Sequence, residues 1–80
     1  HPSLATSLNN LAGLYESQGK HGDAEPLYLE SLSILIESQS VNLQAGWNNV
    51  IDFYRTALAA GLPDTRLQTH PLGGVIRSRL

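Results

Sequence analysis

The stretch LNNLAGLY, Leu8 to Tyr15, returns in altered form as WNNVIDFY, Trp47 to Tyr54, 39 positions later. The same shift lays Leu4 on Leu43, Leu8 on Trp47, Leu11 on Val50 and Tyr15 on Tyr54. It also superimposes the pairs Asn9-Asn10 and Asn48-Asn49. The spacing i, i+4, i+7, i+11 puts the four apolar residues of each set on one stripe of an α-helix. One helical unit is therefore used twice, and self-similarity at such a period marks a stacked repeat architecture.

Working outward, the spacing predicts a first helix over about 2–18. His1 is read as its cap and Pro2 as its first helical residue, where a missing N–H costs nothing. Gly19 supplies the left-handed residue past its end. A second helix is predicted over about 22–38, with Asp23 and Glu25 at its positive end and a stripe of Ala24, Leu27, Tyr28, Ser31, Leu32 and Leu35. Pro26 has to lie in or near its first turn. ESQSVN (Glu37 to Asn42) reads as a polar connection, and a third helix over about 42–60 stops at the turn signal GLPD (Gly61 to Asp64). TRLQT (Thr65 to Thr69) reads as a linker. His70-Pro71 repeats the His-Pro opening and is expected to start a short last helix to Leu80, weakened by Gly73 and Gly74 by about 1 kcal/mol each.

The pattern Leu8, Leu11, Ala12, Tyr15, Ala24, Tyr28 and Ser31 resembles a tetratricopeptide repeat. The wording of HPSLATSLNNLAGLYESQGKHGDAEPLYLESLSI, with its His-Pro start, NNLA and AEPLY, is similar to the kinesin light chain-like branch of that family. The second unit follows the pattern only through its first helix. Trp47, Val50 and Tyr54 sit where the family places them, but Ile51 replaces the small residue and no AEPLY half follows. The resemblance implies an all-α fold of about four helices, in antiparallel pairs of a solenoid. Residues 1–38 are expected to form one repeat and residues 39–80 a degenerate C-terminal repeat or cap.

In this family the first helix of each pair lines a concave groove. That implies a groove face of Thr6, Asn9, Gly13 and Glu16 on the first unit, and Ala45, Asn48, Asp52 and Arg55 on the second. The family's equivalent asparagine contacts peptide, which carries that role onto Asn9 and Asn48. An asparagine amide can pair with both N–H and C=O of an extended segment, so it reads backbone and not side chains. Asn10 and Asn49, about 100° further round, are expected nearer the neighbouring repeat. Asp52 and Arg55 lie one turn apart and could instead pair with each other.

Composition limits the other readings. The 80 residues make one small domain or part of a larger protein, and the lack of any methionine points to the latter, a C-terminal fragment of a longer array. Without cysteine there is no disulfide framework or thiolate metal site, and a reducing, cytoplasmic location is the expectation. His1, His21 and His70 fall at helix starts, not at a spacing that offers two ligands to a metal. No nucleophile elbow or phosphate loop occurs, so no enzyme, metal or cofactor is expected. No apolar run is long enough for a membrane helix. The charge is −4 over residues 1–40 (Lys20 against five acids) and +2 over residues 41–80 (four arginines against two acids). The arginines lack interleaved aromatics, so nucleic acid is not an expected partner. The expected function is a protein-interaction module that holds a peptide or protein segment in its groove. The alternative is a structural cap without a ligand of its own, or a segment that self-associates as a homodimer through uncovered helix faces.

Overall fold

The computed structural model describes residues 2–80, so the expected cap at His1 lies outside the described residues. The elements are α1 (Pro2–Ser17), α2 (His21–Glu37), α3 (Leu43–Ala59), α4 (Thr65–Thr69) and α5 (Gly73–Arg79). The described residues are all helical or connecting, as the fold class requires. α1 and α2 pack as an antiparallel pair along their length, and α3 runs antiparallel to α2. α4 and α5 pack on each other, and α5 returns to α3.

The α1–α2 turn forms for the expected reason. Gly19 has a φ of 77°, and the Lys20 N–H reaches back to the Tyr15 carbonyl. Gly61 does the same at the end of α3, with a φ of 100°. In the α2–α3 connection it is Gln39, not a glycine, that takes the left-handed conformation, with a φ of 51°. Pro26 is the sixth residue of α2, just past the first turn, because the helix starts one residue earlier than expected. The carbonyl that loses its hydrogen bond belongs to Gly22, which is exposed, so water can replace the missing donor.

The buried stripe of α1 is rotated from the expected one. Ala5 and Ala12 are buried, Leu8 and Tyr15 are half-buried, and Leu4 and Leu11 are 52% and 40% exposed. Alanines face α2 because the two helices approach closely there. Ser31 donates to the Ala5 carbonyl at 2.7 Å, which leaves no room for a leucine at position 5. Leu4, Leu11 and the 53% exposed Leu14 form an outer row that no described element covers.

Where the second helix of another repeat would lie, the chain makes two short helices, giving five instead of four. Thr65–Thr69 is α4 and not a linker, because Leu67 buries its side chain and Gln68 Nε2 donates to Asp64 Oδ1 at 3.0 Å. The last helix begins at Gly73, not at His70. The residue before a proline favours extended backbone, and His70 takes φ −75° and ψ 141°. His70 Nδ1 then accepts the Leu72 N–H at 3.1 Å. Helices of five and seven residues do not persist alone. They are held by Leu67 and Ile76, each fully buried, at about 1.5–3 kcal/mol per side chain.

Tyr28, Leu29 and Leu32 from α2 meet Val50, Phe53 and Tyr54 from α3 in the core that Leu67 and Ile76 complete. Phe53 lies between two tyrosines, with ring centroids 4.7 Å from Tyr28 and 5.1 Å from Tyr54. Gly73 has a steric task. A Cβ there would run into the backbone carbonyl of Leu67, which cannot move aside, whereas Gly74 faces open space. Gly73→Ala should therefore cost about 1–3 kcal/mol. Gly74→Ala should stabilise by up to about 1 kcal/mol. Urea unfolding of the two variants followed by circular dichroism checks the opposite signs.

Candidate functional site

α1 and α3 approach each other at a few side chains on one face, and the asparagines meet there. Asn49 Nδ2 donates to Asn9 Oδ1 at 3.3 Å. The contact across the helices thus joins Asn9 to the second asparagine of the later pair, while Asn48 accepts from Gln44 Nε2 at 3.2 Å within α3. Asn10 is exposed. The Asn9–Asn49 bridge borders a depression of about 200 Å3 that Thr6 and Ala45 also line, with Leu35 and Gly46 at its base. Gly46 is buried because α3 rides close over α2 there. A Cβ on it would stand 2.5 Å from Leu35 Cδ1.

A second depression, of about 430 Å3, lies along α3 on the side toward α5. Trp47, Asn48, Ile51, Asp52, Arg55 and Arg79 line it. The expected groove residues are therefore distributed over two hollows: Thr6, Asn9 and Ala45 in one, Asn48, Asp52 and Arg55 in the other. Asp52 and Arg55 make no ion pair with each other among the described residues. Arg55 Nη2 donates instead to the Arg79 carbonyl at 3.4 Å. The Arg79 guanidinium sits 4.4 Å from the centre of the Trp47 ring. Trp47 is half-buried and presents a face to this hollow, although the repeat pattern suggested a packing residue.

Glu16 is engaged away from both hollows, accepting from Tyr28 Oη at 2.9 Å. A parallel contact with larger consequences links Glu25 to α3 and α4. Tyr54 Oη donates to Glu25 Oε2 at 2.6 Å, and Arg66 Nε stands 3.3 Å from Glu25 Oε1. Glu25 is 4% exposed and Tyr54 fully buried. Sequence reading gave Glu25 only a favourable place near a helix start. Its two partners lie far along the chain, so no local signal disclosed them.

These contacts hold the tyrosine protons. Burial first, then the Glu16 hydrogen bond and charge, push the Tyr28 hydroxyl up to about 12. Burial and Glu25 raise Tyr54 in the same direction, against a smaller opposing effect of Arg66. Among the described residues no group of His, Asp and Glu is arranged to hold a metal ion. No helix among the described residues is long and apolar enough to cross a membrane. The geometry offers amide donors and acceptors, one aromatic face and a few charges around open hollows.

A folded-state value raised above the ordinary 10.0 means that the folded chain keeps the Tyr28 proton that the unfolded chain gives up. The stabilisation of the protonated state is fully in force below pH 10.0, where the unfolded chain also keeps the proton, and is lost as pH rises from there through about 12. Melting temperatures measured at increasing alkaline pH should fall, and Tyr28→Phe should make that fall shallower. A fall unchanged by Tyr28→Phe would contradict the assignment.

No curated protein and no solved structure matches the chain. Residues 4–37, which span nearly all of α1 and the whole of α2, match the family model described as tetratricopeptide repeat. Such repeats are generally protein-interaction modules and typically non-catalytic scaffolds. The α1–α2 pair, with Ala12, Ala24, Tyr28 and Ser31 buried between its helices and neighbours, is thus the part of the chain that is similar to a tetratricopeptide repeat, and it sits within an all-α arrangement of antiparallel helices.

Proposed function

We propose that the α1–α3 face binds an extended peptide or a protein segment, with Thr6, Asn9 and Asn49 reading its backbone and Asn48, Asp52 and Arg55 its side chains. The observation that carries this reading is the Asn49–Asn9 hydrogen bond across two successive first helices. It holds two amides in line at the rim of an open hollow. The bond uses one donor of Asn49 and the oxygen of Asn9, so the Asn9 amide hydrogens and the Asn49 oxygen point to a ligand's C=O and N–H. The NNLA and AEPLY stretches support a place in the kinesin light chain-like branch, and the cysteine-free composition supports a cytoplasmic one.

A second reading, a cap without a ligand, is favoured by the way α4 and α5 cover α2 and α3. Leu67 and Ile76 face inward and Arg77 and Ser78 outward, as a terminal unit of a stacked array requires. On that reading the outer row of Leu4, Leu11 and Leu14 packs against a further helix pair or a second copy of the chain.

Peptides selected from a random library on the immobilised chain distinguish the two. Binding on the order of micromolar is expected, because a small face that reads backbone offers few strong anchors. Asn9→Ala with Asn49→Ala should weaken it about tenfold or more, at unchanged helicity. No enrichment of any peptide, or enriched peptides indifferent to the double change, would favour the cap.

A further inference from the structure

The Trp47–Arg79 contact is not needed for folding in the way the core is. α5 is anchored by Ile76 and by the fit of Gly73 against Leu67, both one or more turns before Arg79. Arg79 itself is exposed and stands in the last turn of the helix. Its guanidinium nevertheless lies on the face of the chain's only tryptophan, at 4.4 Å from the ring centre. A planar, weakly hydrated guanidinium stacks on an indole better than an ammonium does.

Asp52 lines the same hollow and has no ion pair or hydrogen bond among the described residues. Arg79 reaches Trp47 without pairing with that carboxylate. Arg55, which also lines the hollow, is held at the Arg79 carbonyl, at the negative end of α5. The hollow thus combines an aromatic face and an uncommitted carboxylate, and the cation now on the face satisfies the first but not the second. A guanidinium arriving from the open side can stack on Trp47 and pair with Asp52 together, which the chain's own arginine does not do.

We infer that the hollow formed by Trp47 and Asp52 is an arginine-binding site, which Arg79 occupies in the absence of a ligand and must leave when an arginine-bearing peptide binds. The inference rests on the groove reading above and specifies its partner, a segment whose backbone lies along Asn9 and Asn49 and whose arginine enters beside α3. Arg79 then acts as a built-in competitor that lowers affinity for all peptides using the site.

The probe is blocked arginine, N-acetyl-arginine methylamide, titrated into the full chain while Trp47 fluorescence is read, with the lysine counterpart as a control. Binding on the order of millimolar is expected for so small a probe. Arg79→Ala should shift Trp47 emission before any probe is added. It should also tighten arginine binding about two- to fivefold, the size of one exposed cation–π contact. Asp52→Asn should weaken arginine binding in both backgrounds, and the lysine probe should bind less well throughout. If Arg79→Ala loses helicity, Arg79→Lys decides, with a smaller gain than alanine would give. Arginine binding that neither variant of Arg79 improves, or no binding to any of these chains, overturns the inference. Library peptides that still depend on Asn9 and Asn49 in that case leave the groove reading standing and sink this one alone.

Discussion

A single buried carboxylate ties α4 to the α2–α3 seam. Glu25 of α2 is 4% exposed, and a carboxylate so placed is tolerated only where charge and hydrogen bonds compensate it. Tyr54 of α3 and Arg66 of α4 provide both. Arg66 is half-exposed, so its pair with Glu25 is worth less than a fully buried one. Its directional effect is larger than its energy. It fixes α4 over the α2–α3 seam, and α4 in turn seats α5 through Leu67 and Gly73. The inner face depends on this chain of contacts, because Arg79 reaches Trp47 only when α5 is in place.

The first half of this arrangement was legible in the sequence because its determinants are local or periodic. Gly19 ended α1 by its backbone freedom, and the small and aromatic positions of the repeat marked where α1 and α2 touch. The stripe on α1 was misread by part of a turn because leucines drew attention over alanines. At a close helix crossing the small residue faces inward, and Leu4 and Leu11 turn outward. Residues 61–80 were less readable for a different reason. α4 has no strong helical signal of its own, and Leu67 folds it by burial against distant residues.

The asparagine pairs meet across the helices with the register displaced by one, Asn49 lying near the neighbouring unit as expected. The shift of 39 aligns Asn9 with Asn48 in sequence. In space the helices sit so that Asn9 meets Asn49, since neighbouring first helices face each other with flanks and not with equivalent positions. Asn48 belongs with Asp52 and Arg55 to the flank that faces α5. One repeated dipeptide therefore serves two hollows, one lined by amides and one by an indole and charges. A helix pair closed by two short helices can present both on one face.

The dependence of α4 and α5 on Glu25 is tested most directly by native-state hydrogen exchange on the parent chain and on Glu25→Gln, which removes the charge and keeps the shape. In the parent, the amides of α3 and of α5 around Ile76 should exchange with similar protection. In Glu25→Gln, protection should drop across α4 and α5 together, while α1 and the centre of α2 keep theirs. Unprotected α5 amides in the parent, or unchanged protection in the variant, would contradict the account.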